Sequence, residues 1–175
     1  VTGGTSSGNL TNALNSYGGG IDGYLQKYST TGNPLASRYI GTSSYDQSYL
    51  VQVDINDDVY VVGQSEGTMP VTAGKYSNPN SGQFIQKYNN SLAAMQFGTV
   101  IGRGTGGVDI SPSAFLVNDC GLIYLSGWGG ASNGSVPSST TSGLPITSNA
   151  YQSSTDGSDF CVMVLDRDAT GLLYG

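Results

Sequence analysis

The chain contains no histidine, and this limits the chemistry that its side chains can perform. Ser-His-Asp and Cys-His nucleophile systems are excluded, as are the usual zinc ligand sets. A pair of carboxylates could still hydrolyse a glycosidic bond. The acids, however, stand mostly in predicted turns, where solvated side chains explain them, as at Asp57, Asp58, Asp119 and Asp168. The sequence therefore predicts a protein without catalytic residues, metal or cofactor.

One acidic segment has the spacing of a cation loop. Asp54, Asn56 and Asp58 alternate like the opening ligands of a calcium-binding loop. The segment lacks the glycine and the distant bidentate glutamate that complete such a loop. Residues 114–127 repeat residues 50–63, and there the three ligand positions are occupied by Asn118, Cys120 and Leu122, which do not preserve the ligand set. A hairpin turn is the better interpretation.

Trp128 is the only tryptophan and is the candidate ligand-binding residue. It stands in the segment Gly127-Trp-Gly-Gly130, before an insertion rich in serine, glycine and threonine near 131–143. An exposed tryptophan beside a polar loop could stack on a sugar or anchor a protein partner. The alternative is that Trp128 caps an interface between two sheets.

The composition indicates the elements that must position these residues. Charged residues make up only 10% of the chain, against about 25% in ordinary soluble domains. There are 27 glycines and 12 tyrosines, which favours short strands joined by turns over helices or disorder. The net charge of −6 disfavours nucleic acid and anionic membrane surfaces as partners. The apolar run 160–165 is too short to insert into a membrane.

The chain also repeats itself. The segment Asp22-Gly-Tyr-Leu-Gln-Lys-Tyr28 returns as Gly82-Gln-Phe-Ile-Gln-Lys-Tyr88 and, more loosely, as Asp159-Phe-Cys-Val-Met-Val-Leu165. Residues 50–63 align without gaps with residues 114–127, and Val1-Thr-Gly3 fits the tail of the same segment. The unit has a period of roughly sixty residues, which is typical of a repeat architecture.

Each unit predicts four short strands. These are about 23–29, 35–41, 48–54 and 58–65, then 83–89, 95–101, 113–118 and 121–128, with a further unit beginning at 159–166 and 171–175. Hairpin turns are expected at 56–58 and 119–121.

A recurring four-stranded antiparallel sheet is the pattern of a β-propeller blade. The predicted fold is therefore all-β and comprises part of a propeller, with a stacked β-solenoid as the alternative. Residues 1–20 would end a preceding blade, 21–82 and 83–157 would each form a full blade, and 158–175 would start another. We expect the chain to be a fragment of a larger polypeptide.

The two cysteines, Cys120 and Cys161, would by default suggest a disulfide in an exported protein. In the predicted blade, Cys120 lies in a turn and Cys161 begins a strand at the opposite end. A strand's length would exceed the Cα separation of about 7 Å that a disulfide can bridge. We expect two separate thiols, and a disulfide would contradict the strand assignment.

The motifs resemble the SBBP β-propeller repeat of large secreted bacterial proteins. The matching stretches are Asp22-Gly-Tyr-Leu-Gln-Lys-Tyr28, Tyr39-Ile-Gly41, Asp54-Ile-Asn-Asp-Asp-Val-Tyr-Val-Val-Gly63 and Met69-Pro-Val-Thr72. The stretches 110–130 and 144–160 are similar to segments of large cell-surface proteins of gliding Bacteroidetes, which are typically type IX secretion cargo.

The resemblance implies an extracellular location at the bacterial cell surface and a non-catalytic, structural or adhesive role. It brings no catalytic residues to this chain. Protein or glycan surfaces are the expected ligands, and secretion-system components are possible partners. Two alternatives stay open: a carbohydrate-binding or glycan-processing propeller, and a cargo or subunit held within a secretion or gliding-motility assembly.

Overall fold

The computed structural model describes residues 1–130 and 139–175. Within these ranges the protein is all-β, as predicted, with one short 3-10 turn at Arg167–Ala169 and no α-helix. The strands are β1 (Thr2–Thr5), β2 (Asp22–Tyr28), β3 (Pro34–Ile40), β4 (Asp46–Val53), β5 (Val59–Ser65), β6 (Gln83–Tyr88), β7 (Met95–Ile101), β8 (Ser111–Val117), β9 (Ile123–Trp128), β10 (Phe160–Leu165) and β11 (Leu172–Tyr174).

The strands form three antiparallel sheets in which chain neighbours pair. The first sheet has the order β1-β2-β3, the second β4-β5-β6-β7, and the third β8-β9-β10-β11. The first strands of the three sheets lie together, because β1 contacts β4 and β4 contacts β8.

The grouping of strands into sheets differs from the predicted one by half a unit. The segment 21–82 was expected to form a single blade, but β2 and β3 belong to the first sheet, while β4 pairs with β5 and β5 pairs with β6 in the second. A sequence repeat gives the number of residues per unit, but it does not show which strand is the first in each sheet. Here the sheet continues across the long connection 66–82, and the short connection 41–45 leads from one sheet to the next.

Two apolar layers separate the three sheets. Leu25 and Ile40 of the first sheet meet Val61 and Phe84 of the second. On the other side of the second sheet, Val62 and Ile85 belong to the layer shared with the third sheet. Because consecutive strand residues point to opposite faces, the central strands β5 and β6 are apolar on both sides.

The predicted hairpin turns are present. Asp54 Oδ1 accepts hydrogen bonds from the backbone N–H groups of Asn56 at 2.9 Å and Asp58 at 3.0 Å. Asp57 adopts a positive φ of 62°, and Gly121 does so at 81° in the aligned turn. Asparagine, aspartate and glycine tolerate this conformation, so these residues favour the turns at the sequence level.

The connecting loops cover the last strand of each complete sheet in the same way. The N–H of Thr72 donates to Gly98 O at 2.8 Å, and that of Thr147 donates to Gly175 O at 3.0 Å. In return, the N–H of Gly98 donates to Thr72 Oγ1 at 3.0 Å, and that of Gly175 to Thr147 Oγ1 at 3.2 Å. These threonines belong to the repeated motifs 69–72 and 144–147. Each motif therefore recurs because its threonine fastens the connecting loop to the last strand of a sheet.

Candidate functional site

The third sheet has one face that no other described part of the chain covers fully. We call it the open face and define it by residues that cross-strand pairing places together: Leu116, Tyr124, Trp128, Phe160, Val162 and Val164. Directly opposite residues on paired strands share a face. Phe160 is 76% exposed and Val162 is 49% exposed, so large apolar groups meet solvent here.

Equivalent positions in the other sheets are buried. The repeat aligns Leu25, Ile85 and Val162. Leu25 is 1% exposed in the layer between the first and second sheets, and Ile85 is 0% exposed in the layer between the second and third. Likewise, buried Tyr60 aligns with Tyr124 on the open face. The open face therefore corresponds to the face that each preceding sheet buries against its neighbour.

Trp128 is the last residue of β9, where it lies opposite Ser111 on one side and Phe160 on the other. It is half-buried, and its side chain shares the open face. Of the insertion predicted near 131–143, residues 131–138 lie outside the described ranges. The end of the insertion lies against the segment that leads into β8, since the N–H of Thr140 donates to Asp109 O at 2.9 Å.

A groove of about 250 Å³ borders the open face. Its apolar wall includes Ile146, Tyr151, Phe160 and Tyr174, and its polar groups include Gln152, Thr155 and Asp159. Tyr151 is almost fully exposed. Sequence reasoning missed Phe160 and Tyr151. Phe160 begins an apolar run that resembles a core strand, and only its alignment with the polar Gln83 sets it apart.

A partly buried ion cluster lies at another position between the second and third sheets. Lys87 Nζ is 3.2 Å from Asp168 Oδ1, 3.3 Å from Asp58 Oδ2 and 3.4 Å from Asp54 Oδ2. The ammonium group also lies 4.9 Å from the centre of the Tyr60 ring. The predicted turn acids Asp58 and Asp168 are therefore ion-paired, whereas Asp57 and Asp119 are exposed as expected.

The electrostatics of this cluster are those of a structural ion pair. Burial alone would lower the pKa of Lys87, but its hydrogen bonds and charge interactions with Tyr60 and Asp168 outweigh burial and raise the pKa. Burial would raise the pKa of Asp54, but the N–H groups of Asn56 and Asp58 and the charge of Lys87 lower it. The described residues contain no group of three or more His, Cys, Asp or Glu side chains arranged to hold a metal ion.

The lysine at this position links successive sheets. Lys27 aligns with Lys87 and donates from Nζ to Asn90 O at 3.1 Å and to the Asn90 side chain, in the turn after β6. Lys87 reaches Asp168, which occupies the corresponding turn after β10. The third aligned residue is Val164, so the lysine is replaced by an apolar group on the open face.

The cysteines are free thiols at different places in the third sheet. Cys120 is exposed in the turn between β8 and β9. Cys161 is half-buried in β10 opposite Gly127, and its Sγ donates to Gly127 O at 3.5 Å. Burial raises the pKa of the Cys161 thiol, which keeps it protonated and unreactive.

No protein-family model matches the chain, and no curated protein is significantly similar to it. Among the described residues, no helix has the length and apolar character needed to span a bilayer.

Proposed function

We propose that the three sheets are consecutive blades of a β-propeller and that the chain is a non-catalytic interaction segment of a secreted cell-surface protein. The observation that carries the proposal is the alignment of Leu25, Ile85 and Val162, of which the first two are buried between sheets and the third is exposed. The contacts of β1 with β4 and of β4 with β8 give further support, since propeller blades converge through one edge.

On this proposal, the open face receives a further sheet of the same repeat. Val162 and Val164 would contribute to an apolar layer like the one around Ile85. An exposed apolar patch of this kind usually marks an interface.

The cellular role follows from the resemblance to the SBBP repeat and to the surface proteins of gliding Bacteroidetes. A rigid stack of sheets would present its connecting loops, including the one after Trp128, to protein or glycan surfaces. Export as type IX secretion cargo belongs to the same proposal. Copurification with a membrane translocon would distinguish a subunit of a secretion or motility assembly from a free adhesin.

Glycan binding is the second candidate function, and the groove beside the open face favours it. Tyr151 and Phe160 offer exposed aromatic rings, and Gln152 and Asp159 offer hydrogen-bonding groups beside them. Aromatic walls with a few polar groups suit a sugar ligand. This candidate requires the groove to stay open in the native protein.

The first experiment is the intact mass of the native polypeptide, measured by denaturing gel and mass spectrometry. A mass several times 18 kDa would support a segment of a larger propeller protein. A mass near 18 kDa, together with a monomer in light scattering, would contradict it.

A substitution then tests the open face in the isolated chain. We expect the 175-residue chain to self-associate or to bind a hydrophobic dye, and Val162→Asp to reduce both. The matched control is Ile55→Asp, because Ile55 is exposed in the hairpin turn and lies off the open face. Equal effects of the two changes would argue against a specific interface.

A further inference from the structure

Two carboxyl groups and one hydroxyl group are buried together without full hydrogen bonding where the first sheet meets β4. Asp22 is 1% exposed and Asp46 is 0% exposed. The Oδ1 atoms of both, and Oγ of the buried Ser48, have no hydrogen-bond partner. Native proteins almost always provide hydrogen-bond partners for buried polar groups, so three unsatisfied oxygen atoms where the first sheet meets β4 need a physical cause.

The two carboxyl groups approach each other beside Gly41, and Ser48 lies next to Asp46 along β4. A Cβ placed on Gly41 would lie 2.9 Å from both Asp22 Oδ1 and Asp46 Oδ2, so these oxygens lie within about 6 Å of each other. Ser48 follows Asp46 by two residues on β4 and shares its face, with Oγ directed against Gly23, the residue after Asp22. The Thr42 carbonyl and Asp22 Oδ1 both border the space beside Gly18.

The hydrogen bonds that exist here use only one oxygen of each carboxyl group. Asp22 Oδ2 accepts from the N–H of Gly18 at 2.7 Å. Asp46 Oδ2 accepts from the N–H of Thr42 at 2.6 Å and from its hydroxyl at 3.0 Å. The donors thus hold both carboxyl groups in place and leave each Oδ1 available.

The second repeat shows what the first one lacks. Asp109 is buried at the corresponding place between the second and third sheets, and its Oδ1 is 2.6 Å from Arg103 Nε. Arg103 follows Gly102 at the end of β7, just as Thr42 follows Gly41 at the end of β3. The N–H of Arg103 donates to Asp109 Oδ2, and the N–H of Thr42 donates to Asp46 Oδ2 in the same way. The first repeat therefore has threonine where the second has arginine.

The first repeat also has a second acid here, since Asp22 aligns with Gly82. An aspartate, an arginine and a glycine are together neutral, whereas two aspartates and a threonine carry a charge of −2 when ionised. Burying two carboxylates without a compensating cation is costly. Burial raises the pKa of Asp22, the Gly18 N–H opposes this, and the charge of Asp46 raises it further.

We propose that Asp22 and Asp46, with Ser48 as the neighbouring hydroxyl on β4, bind a calcium ion that links the first sheet to β4. Carboxylate, hydroxyl and carbonyl oxygens are the ligands that calcium prefers, and calcium accepts irregular geometry. The ion takes the place of the guanidinium group that serves the second repeat. With only two carboxylates, the site belongs to the weak class, with a dissociation constant of about 0.1–1 mM.

The test uses the purified 175-residue chain and calcium alone as the probe. We expect 10 mM CaCl2 to raise the Tm by about 3–10 °C over an EGTA sample at pH 7.5 and constant ionic strength. Isothermal titration should give one ion per chain. No Tm shift and no binding heat up to 10 mM would overturn the proposal.

The decisive variant is Thr42→Arg, which copies the Arg103–Asp109 arrangement into the first repeat. We expect this variant to match or exceed the Tm of the wild type in EGTA and to show no response to calcium. Asp46→Asn should also lose the calcium response, which keeps the test valid if Thr42→Arg does not fold. Asp57→Asn, which changes an exposed acid, should keep it.

The competing explanation is a proton shared between Asp22 and Asp46. In that case the Tm would rise as the pH falls from 7 to 5, and calcium would have no effect at either pH. An equal calcium response in wild type, Thr42→Arg and Asp46→Asn would show non-specific binding and would equally refute the site.

Discussion

Lys87 and Asp168 join two different sheets, with Lys87 Nζ 3.2 Å from Asp168 Oδ1. Lys87 belongs to β6 of the second sheet, and Asp168 belongs to the turn between β10 and β11 of the third. Lys27 makes the corresponding link from the first sheet to the second, but its partner Asn90 is neutral. The same position of the repeat thus supports one ionic and one neutral link.

This difference gives a stability prediction. Lys87→Met should lower the free energy of unfolding by about 2 kcal/mol, because it leaves three partly buried acids without their cation. Lys27→Met, the matched control, should cost less than about 1 kcal/mol, because Lys27 contacts a neutral and exposed partner. Urea unfolding followed by tyrosine fluorescence would measure both. Equal losses would mean that the charge of the cluster contributes nothing.

The same cluster predicts a response to acid. The pKa of Asp54 in the folded protein lies below its ordinary value of 3.8, so its contribution to stability is present above that pH. It is lost as the pH falls through the lower, folded pKa. Asp54 shares its cation, Lys87, with the carboxyl groups of Asp58 and Asp168.

We therefore expect Asp54→Asn to be less stable than the wild type at pH 6 and to lose less stability between pH 4 and pH 2. Asp57→Asn in the same turn is the control, because Asp57 is exposed. Unfolding free energies measured at several pH values would check this. Parallel curves for wild type and Asp54→Asn would show that the turn acid does not contribute.

The aligned pair Ile85 and Val162 tests the apolar layers. Ile85→Ala should cost about 3 kcal/mol, since it leaves a cavity between the second and third sheets. Val162→Ala should cost about 0.5 kcal/mol in the isolated chain, because the side chain is already half in solvent. Chemical unfolding at low protein concentration avoids self-association. A large loss for Val162→Ala would indicate that something covers the open face in solution.

Gly41 gives a prediction about space. Gly41→Ala should lower the free energy of unfolding by about 2 kcal/mol, because the new Cβ would lie 2.9 Å from the carboxyl oxygens of Asp22 and Asp46. Gly171→Ala is the control, since no atom lies within 4 Å of the added carbon there. Differential scanning calorimetry of both variants in EGTA would measure the difference, and equal Tm values would contradict it.

Periodicity and turn chemistry predicted most of the strands. The alternation of apolar residues and the turn residues at Asp57 and Gly121 mark local features, which a single sequence expresses directly. The pairing of β5 with β6 is different, because it depends on which strands bury the same layer. The repeat is compatible with a sheet made of β2 to β5 and with the observed sheet made of β4 to β7. The strand at which each sheet begins could therefore not be predicted from the repeat.

The candidate site was harder to predict than the fold. Trp128 was singled out because it is unique, and the structure places it on the open face. The exposure of Phe160 depends on what covers the third sheet, and no local pattern carries that information. Asp22 and Asp46 were not singled out from the sequence, because they come together only where β2 and β4 approach across two sheets. Contacts between distant segments leave little trace in one sequence.

The divergence of the lysine position has a consequence for assembly. Arrays of similar repeats are prone to misfolding in which one unit docks on the wrong neighbour. Here the position presents Lys27 towards a neutral amide, Lys87 towards three carboxylates, and Val164 towards solvent. A sheet placed out of order would set a lysine against no acid, or an acid against a valine. The unequal pairs thus favour one order of the three sheets, because each lysine matches only its own partner in the neighbouring sheet.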